Sequence, residues 1–333
     1  MSGLTIGGHG STALPPPCRH ADRLAVITGD AASGCFLAVE RRVERSGRSL
    51  KADNMTRQRV MAIRPDPALV TVLTSVLNPR YYDIESSVGN VDTVRRLRSR
   101  AFDVVITDPS TSVDEDVALT LELRSLRPDI KAIVLAPEAT HDAVLEAIRA
   151  DVFACFTPPF DNHEIASMTA SALSAEQWGH AIQVVSGSAH WLTLRVASHL
   201  LTADRVVRFM TELQSGVPDE TRDLLIAAFR ELLLNAMEHG AGFDREKIVE
   251  VTAARTARAI VYHFKDPGGG FDRRDLAHAV ASSNKDAVLG TTLHRAEAGM
   301  RPGGFGMLIV GRVADEIAYN EAGNEVLLIK HVD

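Results

Sequence analysis

An α/β protein with two folded units is what this sequence predicts, on three observations. Across residues 59–156, short apolar runs alternate with helical stretches, and strands that alternate with helices imply a parallel, doubly wound sheet. The last third carries three acid- and glycine-bearing motifs whose order suits a helix, a strand end and a second helix start. The first 54 residues share neither pattern.

Residues 1–56 read as a flexible tail. Gly, Ser and Pro are frequent before Cys18, and a basic run from Arg41 to Arg48 follows, a composition poor in the apolar surface a fold needs. Gly29-Asp-Ala-Ala-Ser-Gly34 lacks the Lys-Ser/Thr of a P-loop. Met55, just before the first predicted strand, offers an alternative translation start. The full 333 residues accommodate two domains of ordinary size beside that tail. A formal charge of −7 with mixed signs gives no argument for a nucleic-acid surface. Cys18, Cys35 and Cys155 are widely spaced and form no zinc-type cluster, which suits a reducing, cytoplasmic setting. The apolar stretches are too short and interrupted for a membrane span, and no convincing secretory signal stands out.

The middle unit spans 57–175. Its apolar runs at 59–63, 102–106, 131–135 and 152–156 read as buried strands, and Cys155 within the last as a buried strand residue. In such sheets the working site lies at the C-terminal strand edge, where Asp108 follows one strand and Thr157-Pro158-Pro159-Phe160-Asp161 follows another. On these residues the segment resembles a response-regulator receiver domain, with Asp108 in the phosphoacceptor position. It departs from that pattern where the chemistry lies. Arg64 and Pro65 stand where the metal-binding acidic pair belongs, with only the neighbouring Asp66 acidic. Ala136 replaces the expected hydroxyl residue, and Thr157 or Pro158 the expected lysine. An aspartyl phosphate needs that metal, so the domain reads instead as a protein-binding or dimerising module that positions its neighbour.

The last unit spans 188–333. Residues 219–239 lack Pro and Gly, and their apolar positions recur at helical spacing. Within Glu231-Leu-Leu-Leu-Asn235-Ala-Met-Glu-His239-Gly240, Glu231 and Asn235 therefore share a face. A carboxylate and an amide oxygen so stacked can hold a hydrated Mg²⁺ and orient a hydroxyl. After the strand-like run 260–264 come Asp266 and the glycines Gly268, Gly269 and Gly270; a carboxylate at a strand end can accept from an exocyclic amine such as that of adenine. Gly303, Gly304 and Gly306 precede an apolar helical stretch, 307–313, and glycines opening a helix let phosphate oxygens approach backbone N–H groups. A polar stripe, a glycine turn and a glycine-rich helix entry would explain each motif singly. The series reads as an ATP site.

Those three motifs resemble the N, G1 and G2 boxes of the GHKL (histidine-kinase-like) ATPases, and from about Trp191 onward the chain looks most like the anti-sigma factor serine/threonine kinases. The resemblance implies an α/β sandwich of the Bergerat type with ATP between a helical layer and a mobile lid. It further implies Asn235 as the Mg²⁺ ligand, Glu231 as base or orienter of the attacking hydroxyl, and Asp266 on the adenine amine. Gly268, Gly270, Gly304 and Gly306 would shape the loops. Residues 271–302 would be a lid longer than in the simplest members; its Arg273, Arg274, Lys285 and Arg295 are not assigned to phosphates. His239 with Gly240 suits a helix C-terminus without any ligand. The interval 173–191 is too short for the two long helices of a sensor kinase, which puts the phosphoacceptor on another protein. The resemblance implies a STAS-type anti-sigma factor antagonist phosphorylated on Ser or Thr, with a sigma factor as competing partner. A non-catalytic, nucleotide-gated binding module is the alternative, and homodimerisation stays open.

Overall fold

The computed structural model describes residues 57–214, 216–270 and 306–332. The expected tail, the expected lid with its four basic residues, and Gly303 and Gly304 lie outside the described residues.

The first sheet is parallel, in the order β2-β1-β3-β4-β5, formed by β1 (Gln58–Ile63), β2 (Tyr82–Ser87), β3 (Val104–Ile106), β4 (Lys131–Leu135) and β5 (Ala154–Phe156). Between and after the strands run α1 (Pro67–Val76), α2 (Asn90–Ser99), α3 (Val113–Leu126), α4 (His141–Arg149) and α5 (Asn162–Ser174). Two apolar layers sandwich the sheet: Val60, Ile106, Leu135 and Phe156 face α1 and α5, while Met61, Ile63 and Val105 face α2 and α3. β3 and β4 are buried along their whole length, which is why they read as continuous apolar runs. β5 starts two residues later than its apolar run because the Val152 amide donates to Ala147 O at the end of α4. β2 gave no apolar signal, since Tyr-Asp-Ile-Glu-Ser-Ser lies half-exposed at the sheet edge.

The second sheet has six antiparallel strands in the order β10-β11-β9-β8-β7-β6: β6 (Ile182–Ser188), β7 (Trp191–Ala197), β8 (Ile248–Arg255), β9 (Ala259–Lys265), β10 (Glu316–Tyr319) and β11 (Glu325–His331). Period-two alternation sends Leu192, Leu194, Val196, Val251, Ile260, Tyr262 and Phe264 to one face. Across that face pack α6 (Leu200–Leu213), α7 (Asp219–Asn235) and α8 (Gly306–Val313). Phe229 of α7 meets Tyr262 edge-on and Phe264 at a tilt, with ring centroids 5.0 and 5.1 Å apart. This is the α/β sandwich expected of the C-terminal unit.

The two sheets share a core. Val144, Leu145 and Ile148 of α4 and Cys155 of β5 belong to the same buried cluster as Val206, Phe209 and Met210 of α6. Burial pushes the Cys155 thiol up to about 12, so it is an inert core group.

Candidate functional site

The described residues of the three C-terminal motifs converge. Glu231 and Asn235 are half-buried on the last turn of α7, one helical turn apart. Gly306 opens α8 directly beside them: a Cβ at 306 would collide with the Glu231 carboxylate, and the Asn235 amide lies 3.8 Å from Met307 Sδ. On the other side of α7, Gly240 abuts the Asp266 side chain. Asp266 Oδ1 accepts from the Gly268 amide at 2.8 Å. Asn324, in the β10–β11 turn, accepts the Asp266 amide at 3.0 Å. Gly270 adopts φ +76 with its Cα pressed against the Ala322 carbonyl, a position that both backbone and contact restrict to glycine. Burial raises the Asp266 carboxyl above its ordinary value, opposed by the Gly268 hydrogen bond and the nearby His239.

The end of α7 differs from the expected helix. Helical geometry stops at Asn235, and Ala236–Gly240 form one π-helical turn. Gly240 is therefore no left-handed cap; its missing side chain makes room for Asp266 instead. The wider turn carries His239 toward that carboxylate while leaving it exposed. π-turns are frequent at functional sites. The sequence signal was the pair Gly240 and Asp266, which a reading of 239–240 as an ordinary helix end passed over.

These residues fit a nucleotide with its metal. The Asp266 carboxylate is held at a glycine-lined loop, and two oxygen-bearing side chains stand one turn apart at the start of a helix. Asn235 would hold Mg²⁺ with water completing the shell. Asp266 would accept from a base amine.

At the C-terminal edge of the parallel sheet, Asp108 lies buried just beyond β3. Its Oδ1 accepts from the Ser110 amide at 3.0 Å and hydroxyl at 2.7 Å, and its Oδ2 faces Arg64 Nε at 3.2 Å. Arg64, at φ 41, thus supplies a tethered cation where a receiver's acids would gather a metal. Thr157 follows β5 and donates its hydroxyl to Glu212 of α6. No group of three or more His, Cys, Asp or Glu suited to a metal occurs among the described residues.

Beside Asp108 lies Asp116, fully buried, whose carboxyl burial pushes up to about 7. Thr107 Oγ1 donates to its Oδ2 at 2.6 Å and accepts from the Leu135 amide at 3.0 Å. Thr111 Oγ1 lies 2.7 Å from Asp108 O and 2.8 Å from Asp116 Oδ1. One hydroxyl hydrogen cannot serve both acceptors at once, and the Thr107 and Thr111 hydroxyls only partly offset the effect of burial. A group whose folded pKa is raised holds an extra proton in the native state, and stability falls as pH rises from about 4 to about 7. Asn supplies the same donor and acceptor without a charge. Asp116→Asn is expected to flatten that slope and to stabilise the protein at pH 8 by roughly 2–4 kcal/mol, measured by urea unfolding across pH 4–8.

Comparison with known proteins agrees with this geometry. Residues 196–330 match the family described as Histidine kinase-like ATPase domain. Among curated proteins the chain is 26% identical over 136 residues to the DNA-binding transcriptional regulator NtrC of Azospirillum brasilense, covering 40% of this chain and 28% of that protein. It is 20% identical over 115 residues to the transcriptional regulatory protein ZraR of Salmonella typhimurium, covering 34% and 26%. The chain thus spans about a quarter of the length of these relatives. Among solved structures, the non-phosphorylated HemR receiver domain from Leptospira biflexa aligns at 18% identity and TM-score 0.32, covering 36% of this chain and 98% of that one. A CheY-like receiver domain protein from Methanospirillum hungatei aligns at 17% and 0.31, covering 35% and 94%. The strand order 2-1-3-4-5 is that of the flavodoxin- and CheY-type doubly wound sheet. The chain therefore matches a histidine kinase-like ATPase domain at 196–330, preceded by a doubly wound parallel sheet with the CheY-type strand order.

Proposed function

We propose that this protein binds Mg-ATP at the convergence of α7, the Asp266 loop and α8, and transfers phosphate to a Ser or Thr of a partner protein in the cytoplasm. The carrying observation is the placement of Glu231 and Asn235 one turn apart at the opening of α8. Mg-ATP supplies the phosphoryl group and the neutralising charge. Asn235 holds the metal, Glu231 orients the attacking hydroxyl and takes its proton, and Asp266 fixes the base. Gly268, Gly270 and Gly306 shape the surrounding loops. Positioning and electrostatics supply most of the rate in such a transfer.

The acceptor lies in trans on this reading. Only residues 175–181 separate α5 from β6, and no pair of long helices fits in that interval. A STAS-type anti-sigma factor antagonist is the substrate we propose, with a sigma factor competing for the same domain. The test is label transfer from γ-labelled ATP in host lysate, wild type against Asn235→Ala. An acid-stable labelled band on a small protein, absent with Asn235→Ala, is expected. ATP binding without any Asn235-dependent band would replace the kinase reading by a nucleotide-gated binding module.

A further inference from the structure

At the far end of α7 from the ATPase motifs lies a cavity of about 600 Å³. The β6–β7 turn, the end of α6, the residues leading into α7, the β8–β9 turn and the start of α4 enclose it. Pro218 precedes α7 on its wall, thirteen residues before Glu231, so roughly 20 Å of helix separates the two regions at ~1.5 Å per residue.

Three features of this cavity point to a ligand. Gln214, only 3% exposed, has an Oε1 without a hydrogen-bond partner. The Tyr262 hydroxyl, buried as well, stands within reach of the Gln214 side chain. His141 contributes a second buried, unpartnered atom, Nε2, and burial lowers its pKa, which favours the neutral ring. Buried polar atoms without partners each cost stability, and a ligand would recover that cost. The second feature is charge. Arg255 lines the cavity with His190 beside it, and no carboxylate does among the described residues. The third is the wall formed by Leu192, Met210, Leu213 and Val217, which is apolar.

We propose that this cavity is a second ligand site, distinct from the ATPase motifs, for a small amphipathic carboxylate with an amine or hydroxyl next to the carboxyl group. The carboxylate pairs with Arg255 and His190, the adjacent donor meets Gln214 Oε1, and the apolar tail lies over Leu192 and Leu213. Because α7 runs from this cavity to Glu231 and Asn235, the site is placed to report a metabolite to the ATPase end of the same helix.

The probes are L-leucine, 2-hydroxy-4-methylpentanoate and 4-methylpentanoate, which share a tail and differ only beside the carboxyl. They are titrated calorimetrically into the full chain, with and without saturating ATP. The first two are expected to bind saturably, at least tenfold tighter than the third, and ATP should not displace them. Arg255→Met should abolish binding. Gln214→Met should erase the tenfold preference while the urea midpoint of the free protein stays at or above wild type, because an apolar side chain there removes an unpaired atom. Failure of both leucine and the hydroxy acid to bind, displacement by ATP, or undiminished binding in Arg255→Met would overturn the proposal.

Discussion

Gly240→Ala is expected to weaken ATP binding at least about a hundredfold, some 2.7 kcal/mol, with the receiver-type domain unaffected. Glycine at 240 is required by contact and not by backbone conformation, since its φ is not left-handed. A Cβ there would overlap Asp266 Cβ, Cγ and Oδ1 together. Overlap with the tip of a flexible side chain would be cheap to relieve, but Cβ moves only with the main chain. The main chain of Asp266 is pinned by its amide to Asn324 O at 3.0 Å, and its Oδ1 by the Gly268 amide at 2.8 Å. Gly268 is itself packed on Gly240, where an added Cβ would stand 2.8 Å from the Gly240 carbonyl. An alanine methyl therefore pushes the whole Asp266–Gly268 loop off the end of α7, and the carboxylate with it. Gly311→Ala is the matched control, in α8 with nothing within 4 Å of the added methyl. It should leave ATP affinity within about threefold and favour the helix by up to about 1 kcal/mol. ATP titration of the three proteins decides; full affinity in Gly240→Ala would remove Asp266 from the nucleotide site.

What could be read from the sequence was whatever local spacing determines. Glu231 and Asn235 share a face because a helix has 3.6 residues per turn, and β3 and β4 are apolar because both sides of their sheet are covered. Asp108 falls at a strand end for the same reason. The polar edge strands β2 and β6 were missed, as one side of each meets water and their residues carry no apolar run. Long-range pairings were also out of reach. Nothing in the spacing of Arg64 and Asp108 says that they meet, and nothing in that of Gly240 and Asp266 says that they touch. The hardest feature was α6. Its Arg205, Arg208 and Glu212 recur at helical spacing and have the look of a solvated stripe, yet all three are buried against β5. Charged residues on a helix this apolar elsewhere were the available hint.

Arg205→Met is expected to destabilise the protein by about 3–5 kcal/mol, a loss comparable to breaking a buried ion pair. Arg205 is 1% exposed. Its Nε donates to Phe153 O at 3.0 Å, Nη1 to Trp178 O at 2.9 Å and Nη2 to Val152 O at 3.2 Å. The guanidinium also lies 4.9 Å from the Phe153 ring centroid and 5.2 Å from that of Trp178. Burial lowers its pKa to about 10, opposed by Asp151, so it remains charged at neutral pH. Two effects compete when it is removed. Methionine avoids the cost of holding a cation out of water, and buried ion pairs replaced by apolar groups on both sides are often neutral or stabilising. Here the partners are main-chain carbonyls, which no substitution of Arg205 removes, and each one left without a donor in the interior costs roughly 1–3 kcal/mol. The orphaned carbonyls outweigh the relieved desolvation. Lysine keeps the charge but has one nitrogen for three acceptors set in a plane, so Arg205→Lys should recover only part of the loss. The three carbonyls belong to the residues leading into β5 and to those after α5, while Arg205 belongs to α6, so the bonds join the parallel sheet to the ATPase sandwich. In Arg205→Met, urea unfolding should therefore change from one transition to two, with amide exchange accelerated first along 152–156 and 200–213. A single transition at the wild-type midpoint would mean that the shared apolar core alone holds the two sheets together.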